Sequence, residues 1–351
     1  VKICVAMSGG VDSSVAAALL LEQGHEVIGV HMKLHDVEGD AGGKHCCGLD
    51  DAADARRVCD RLQIPFFVMD LREAFQRAVI DDLADTYLAG ATPNPCVQCN
   101  GVLKFQVLLR RALALGCTHL ATGHYARIGP DGGLRVARDP DKDQSYFLFP
   151  VRREALQRTV FPLGELTKPQ VRAHARRLGL VTADKPESQE ICFVPDDDHA
   201  RFVREHRPDA EGAGDIVDEQ GRVLGQHDGY WRFTIGQRRG LGVAMGTPVY
   251  VLAIDADSRR VVVGPGERLL HHDIEARGFS WFSRPSRGRV PMARVRHRGA
   301  LVPCEVDELS TPGRVRLRLQ APARAATPGQ AVVLYDGDDV LGGGWIRRVL
   351  R

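Results

Sequence analysis

Ile3-Cys4-Val5-Ala6-Met7-Ser8-Gly9-Gly10-Val11-Asp12-Ser13-Ser14 is the stretch whose reading decides the fold. Its five apolar residues, Ile3 to Met7, have the length of a buried strand, and the alanine- and leucine-rich run that follows to Leu21 has the composition of a helix. Between them, two glycines let the backbone turn sharply and approach a ligand closely. Ser13 and Ser14 fall where a new helix leaves its first amides unpaired. A strand, a tight glycine turn and a helix in that order make a phosphate-binding end. No Gly-Lys-Ser/Thr follows, so the turn lacks the lysine with which a Walker loop grips transferring phosphates. The plainer alternative is a serine-glycine turn in an ordinary α/β protein.

The alternation continues through the first half. Strand signals at Ile3 to Ala6, Glu26 to Met32 and Pro65 to Met69 interleave with helix signals at Ser13 to Gln23 and Asp50 to Leu62. A helical stretch, Leu103 to Leu115, then precedes a short strand, His119 to Thr122. This pattern predicts an α/β fold, a doubly wound parallel sheet with crossover helices. Ligands of such sheets collect beyond the carboxyl ends of the strands, so the loops after Ala6, Met32 and Thr122 should face one nucleotide. Helical signals return at Arg152 to Gln157 and Lys168 to Leu178. Beyond about residue 205 the chain is glycine-rich with short alternating strands, such as Pro248 to Ile254, Arg260 to Val263, Arg314 to Gln320 and Ala331 to Tyr335. We therefore expect a nucleotide-binding domain over 1–200, a small central domain over 201–267 and a C-terminal β-barrel over 268–351.

A chain of 351 residues that is 44% hydrophobic is long and apolar enough for roughly two or three packed domains. No run approaches the roughly 18 apolar residues of a membrane span, and the first residues do not follow signal-peptide order, so the expected location is cytoplasmic with no membrane partner. A net charge of +2 excludes nucleic-acid binding by overall charge. The basic residues are uneven, however: Arg284 to Arg298 holds six arginines, one histidine and no acid, a patch suited to a phosphate backbone or a solvated arginine face. In Arg314-Val315-Arg316-Leu317-Arg318 the period of two sets three arginines on one strand face.

Nine cysteines in such a chain point to metal or thiol chemistry rather than a disulfide scaffold. Thr92-Pro93-Asn94-Pro95-Cys96-Val97-Gln98-Cys99-Asn100 carries one pair. Its prolines should hold Cys96 and Cys99 on a stiff loop before a helix that begins near Val102, a placement that favours a reactive thiolate. A structural zinc would need four ligands, and no second C-x-x-C exists. Cys192, in Gln189-Glu190-Ile191-Cys192-Phe193, reads by itself as a buried core cysteine. Cys46-Cys47 beside His45 reads as a mobile loop near the nucleotide in preference to a metal site, and Cys4, Cys59, Cys117 and Cys304 read as packing.

Ser8-Gly9-Gly10-Val11-Asp12-Ser13 resembles the PP-loop of the ATP pyrophosphatases. The segments taken in order, from end to end, resemble the tRNA-specific 2-thiouridylase family. The specific pieces are Ser8 to Ser14, Thr92 to Asn100, Ala121 to Tyr125, Lys142 to Tyr146, Gln189 to Phe193, Phe233 to Gly242, Pro328 to Gln330 and Leu341 to Gly344. The resemblance implies that Ala6, Met7, Ser8, Gly9, Gly10, Val11, Asp12, Ser13, Met32 and Gly123 contact ATP. It implies that Cys99 is the nucleophile and Cys192 the persulfide carrier. Asn94, Pro95 and Cys96 would border the target base, and His124, Lys142, Asp143, Gln144, Arg296, His297 and Gln330 would touch tRNA.

Many members of that family carry aspartate at the position of Cys96. The cysteine here gives a C-x-x-C plus a distant cysteine, the arrangement of thiolases that hold a 4Fe–4S cluster. Two sulfur routes thus stay open: a Cys192 persulfide released by Cys99, or a cluster held by Cys96, Cys99 and Cys192. The expected reaction uses ATP and Mg²⁺ to adenylate the C2 oxygen of a wobble uridine in a tRNA anticodon, then substitutes sulfur from a donor protein. Asp12 is the candidate to help hold Mg²⁺, or else a turn former.

Overall fold

The computed structural model describes residues 1–35, 49–186, 193–194, 198–243 and 246–350. Cys46, Cys47 and Cys192 lie outside the described residues. The chain divides into two compact units: Val1–Val79 with Cys96–Asp197 and Gly337–Val340, and Ile80–Pro95 with Asp198–Asp336 and Leu341–Arg351.

The first unit is built on β1 (Lys2–Ala6), α1 (Val11–Glu22), β2 (Glu26–Lys33), α2 (Leu49–Leu62), β3 (Phe66–Asp70) and β4 (His119–Ala121). With an edge strand, Thr159–Val160, these form a five-stranded sheet in the order β3, β2, β1, β4, Thr159–Val160, parallel throughout. Side chains alternate along β1. Ile3, Val5 and Met7 join Val11, Val15 and Leu20 of α1, Val58 and Cys59 of α2, and Val171 and Ala175 of the helix Lys168–Arg177 in one core. Cys4, also fully buried, points to the opposite face, so β1 is covered on both sides as a parallel sheet requires. The doubly wound sheet is as expected. Helix α1 starts at Val11, two residues earlier than the serines suggested, because glycine at the N-cap needs no side chain to begin it.

The second unit holds two β structures. A four-stranded sheet runs in the order Tyr250–Asp255, Arg260–Gly264, Gly214–Val217, Val223–His227. The C-terminal strands run Leu270–Trp281, Val315–Arg324, Val302–Glu308, Met292–Arg294, Ala331–Asp336, Asp339–Leu350, and the last pairs with the first, which closes a small barrel. Ile274, Leu317, Leu319, Leu334 and Ile346 fill it. Both 12-residue strands, Leu270–Trp281 and Asp339–Leu350, are longer than their alternation revealed, since each is interrupted by shifts in register.

The arginine row of Val315–Arg324 is largely occupied by acids. Glu275 accepts from Arg314 (3.1 Å), Arg347 (3.1 Å) and Arg348 (2.7 Å), and Asp273 accepts from Arg316 (2.8 Å). This face is an ion-pair network of partly exposed arginines on acidic partners, which lessens its value as a grip for phosphates. Burial of Glu275 favours its neutral form, but the bonds and charges of Arg348 and Arg347 outweigh that and hold its carboxyl below the usual range. A carboxyl depressed in the folded state adds stability that is complete above its unfolded pKa, about 4.3, and is lost as pH falls through the folded value. Urea midpoints should therefore drop on acidification below about pH 4.3. Glu275→Gln should be less stable at neutral pH and lose less stability on acidification, whereas parallel curves for the two proteins would contradict this.

Candidate active site

The turn after β1 keeps the shape its sequence predicts. Ala6 and Met7 are buried, Ser8 is exposed, Gly9 sits at φ +75°, and Gly10 caps α1 without a side-chain bond. The Ser13 hydroxyl accepts from the Ser8 amide (3.2 Å) and donates to the Gly10 carbonyl (3.2 Å), and Ser14 donates to the same carbonyl (2.8 Å). Met7 is held by β2: its amide donates to Val30 (2.8 Å), and its carbonyl accepts from Nδ1 of His31 (2.9 Å). Burial keeps His31 below the ordinary histidine pKa against the opposing pull of that bond. Met32 lies half-buried on β2 opposite Met69.

Two neighbours leave no room for side chains at this turn. A Cβ on Gly9 would stand 2.2 Å from the Asp51 carbonyl oxygen, and one on Gly123 would stand 2.7 Å from the Ser13 amide nitrogen. The loop after β4 therefore touches the first turn of α1, joining two of the three loops expected to face one ligand. Most of the third, after Met32, lies outside the described residues.

Asp12, expected either to help hold Mg²⁺ or to form the turn, is bonded by side chains from two remote segments. Both its carboxylate oxygens accept from Lys168 Nζ at 2.8 Å, and one also accepts from the Tyr125 hydroxyl at 2.8 Å. A second lysine, Lys185, donates to the Gly9 carbonyl (3.0 Å), to Asp51 (2.6 Å) and to Asp54 (2.5 Å). Burial alone would lower the Lys185 pKa, yet the bonds to those carboxylates raise it. Sequence reading missed both lysines because each is remote from the turn in the chain. Thr167-Lys168-Pro169-Gln170 did carry a signal, a capping box that starts a helix with Lys168 in its first turn.

The cysteine segment departs from the expected stiff loop. Helix begins at Pro95, runs as Pro95–Gln98, continues as a π-helix over Cys99–Leu108 and ends as Leu109–Ala114. Pro95 opens the helix instead of delaying it, because the first helical residue needs no amide hydrogen. Cys96, exposed, and Cys99, half-buried, are thus three residues apart on one helical face, near its positive end. Among the described residues no group of three metal-ligating side chains is assembled. Cys4, Cys59 and Cys304 are buried, and burial pushes their thiols up to about 12.

A short relay of side chains links the thiol helix to the glycine turn. Asn100 donates to the Phe147 carbonyl (3.2 Å), and Lys104 Nζ donates to Asn100 Oδ1 (2.9 Å) and lies 3.4 Å from His124 Nε2. Nε2 must accept from the ammonium, which assigns the proton to Nδ1, 2.7 Å from Thr122 Oγ1. Burial, then the charge of Lys104, hold His124 neutral, well below its ordinary pKa. Packed against Phe105 and Phe161, His124, expected to touch tRNA, is a buried histidine with a polar neighbour at each ring nitrogen.

Other expected RNA contacts divide. Asp143 is buried and accepts from Ala137, the Ser145 amide and the Ser145 hydroxyl, so its carboxylate shapes its own loop. The side chain of Gln144 accepts from the Tyr125 amide (3.0 Å). Lys142 is half-buried and lines a cavity with Lys168. In the second unit, Asn94 and Pro95 are buried, and Gln330 donates to the carbonyls of Thr92 (3.3 Å) and Pro93 (2.9 Å), bracing that segment. Arg296 is exposed and reaches Thr327, while His297 is half-buried beside it.

Gly123→Ala should push the loop off α1 and lower stability by about 1–3 kcal/mol, the usual range for an overpacked contact. An unchanged denaturant midpoint would mean the loop can step aside.

The chain matches three family descriptions in sequence: a tRNA methyl transferase HUP domain over residues 1–196, a tRNA methyl transferase PRC-barrel domain over 200–265, and an aminomethyltransferase β-barrel domain over 271–346. It is 52% identical to the tRNA-specific 2-thiouridylase MnmA of Geobacter metallireducens over 98% of this chain and 96% of that protein. Identity to the MnmA of Geotalea uraniireducens is 49%, over 99% and 96% of the two chains. For that of Carboxydothermus hydrogenoformans it is 48%, over 99% and 98%. Near-complete coverage at about half identity, over a glycine turn and a paired-cysteine helix built into one α/β unit, makes this chain a member of the tRNA-specific 2-thiouridylase family.

Proposed function

We propose that the protein is an ATP-dependent tRNA 2-thiouridylase working in the cytoplasm. The observation that carries this reading is the Lys104–His124 contact, which sets the helix of Cys99 beside the loop of Gly123 and hence beside the glycine turn. A nucleotide end and a nucleophilic thiol so joined suit activation followed by sulfur substitution. The methyl transferase wording of two family descriptions fits less well, because methyl transfer calls for neither a pyrophosphate turn nor paired thiols.

Uridine C2 is a poor electrophile until its oxygen becomes a good leaving group. The oxygen attacks the α-phosphorus of ATP, and pyrophosphate departs toward the amides of α1, whose dipole favours the charge that develops. Residues Ala6 to Ser13, Met32 and Gly123 make this site. Magnesium would ride on the phosphate oxygens. The terminal sulfur of a Cys192 persulfide, loaded by a donor protein, then attacks C2 and AMP leaves. Cys99 thiolate attacks Sγ of Cys192, the sulfur–sulfur bond breaks, sulfur stays on the base, and the resulting Cys99–Cys192 disulfide is reduced by a thiol donor. The base must leave the anticodon stack to reach these thiols. Asn94 to Cys96 would border it, with the central (201–267) and barrel (268–351) domains gripping the rest of the arm through phosphates.

The spacing of Cys96 and Cys99 on one helical face favours a second sulfur source. With Cys192 these thiols would hold a 4Fe–4S cluster, and such a group would supply sulfide. An anaerobic single-turnover assay of wild type and Cys96→Ala decides. We expect metal-free protein with a persulfide donor to thiolate tRNA, with AMP formed, and Cys96→Ala to keep activity. About four irons per chain, with thiolation only in the iron-loaded form, would assign the sulfur to the cluster. No tRNA-dependent AMP in either form would overturn the function itself.

Arg296→Ala should weaken tRNA binding and reduce its salt slope by about one while ATP binding is spared. An unchanged slope would remove Arg296 from the phosphate contacts.

A further inference from the structure

The glycine turn has no lysine of its own, and the fold brings one from 156 residues away. Lys168 is a buried ammonium, its side chain only 9% exposed, held on both oxygens of Asp12 in the first turn of α1. Its backbone is fixed as well: the Lys168 amide donates to Asp139 (2.8 Å), and the capping box of Thr167 and Gln170 sets the helix start. A charge this deep persists only where it is paired, and a plain anchor between α1 and the helix Lys168–Arg177 could be made from apolar side chains at lower desolvation cost. Lys168 is also one of the residues lining a cavity of about 480 Å³, with Lys142, Arg172, Arg176, Asp139 and Asp141, in which basic groups are the majority.

We infer that Lys168 is the phosphate-gripping residue of this site, standing in for the missing Walker lysine, with Asp12 neutralising it until polyphosphate arrives. The inference rests on the reading of the glycine turn as an ATP site and adds which side chain holds the pyrophosphate part. A compact ammonium is suited to this, since it meets phosphate as a point charge from any direction. Its position one carboxylate away from the α1 amides puts both positive elements on the same end of the nucleotide. Recognition by Lys168 therefore depends on the outer phosphates and not on the nucleoside.

The test compares ATP and AMP binding by calorimetry in wild type and Lys168→Gln, with thermal melts alongside. The expected result is a loss of about tenfold or more in ATP affinity, the effect of one charged hydrogen bond, with AMP affinity within about twofold. Equal losses for ATP and AMP would make Lys168 a structural anchor, and no loss for either would also overturn the inference. Wild type that binds neither nucleotide would overturn the ATP site along with its lysine, which separates the two failures. Should Lys168→Gln not fold, lysine-selective NMR of wild type serves, with the Lys168 resonance assigned from Lys168→Arg. That resonance should shift with ATP or pyrophosphate and stay in place with AMP. A shift of the same size with AMP, or none with ATP, would reject the assignment.

Discussion

The structure of the first unit depends on one tight contact, Gly123 against the opening turn of α1. A helix start that must present its amides to a ligand cannot also be covered by side chains, so the chain segments around it come within van der Waals reach as bare backbone. Gly9 against Asp51, Gly10 as a cap without a side chain, and Gly123 against Ser13 each serve that requirement. The polar groups that are needed nearby arrive on long side chains: Lys168 and Tyr125 onto Asp12, Lys185 onto the Gly9 carbonyl. Electrostatics around the turn is thus supplied from a distance, while its shape is local.

That division accounts for what the sequence revealed. The parallel sheet, the turn and the pairing of α1 with β1 are local patterns, with period and composition that can be read within a dozen residues. The C-x-x-C is equally visible, but its conformation is not: proline bars a helix from its interior yet initiates one at the first position, where Pro95 stands. Nothing in the immediate neighbours of Lys185, Lys104 and His31 marks them, and the capping box around Lys168 signals only a helix start. Their roles exist only once remote segments are folded together. His124 and Asp143 show the converse, since residues recognisable by resemblance turn out to be interior groups with their bonds satisfied.

In the second unit the same lesson concerns charge. A row of arginines on alternate positions looks like a surface for nucleic acid until the facing strand is known. Glu275 and Asp273 lie opposite on Leu270–Trp281 and pair with Arg314 and Arg316 of that row. Arg296, on the stretch after Met292–Arg294, is exposed and lies outside that network. Formal charge along a strand is therefore a poor guide to the field outside it, and cross-strand partners decide which cations face solvent.

The π-helix over Cys99–Leu108 has a consequence for how this segment can vary. Bonds from each residue to the fifth along widen the winding, and within the run Lys104 reaches back to Asn100 and across to His124. Such a run is an α-helix that has absorbed an extra residue, held in place by the side chains that the wider register aligns. Residue number in this run is consequently part of the site's geometry: a deletion of one residue between Asn100 and Lys104 would relax the winding to α and break the contact of Lys104 with Asn100. Homologous chains should tolerate changes of residue type in this segment more readily than changes of its length.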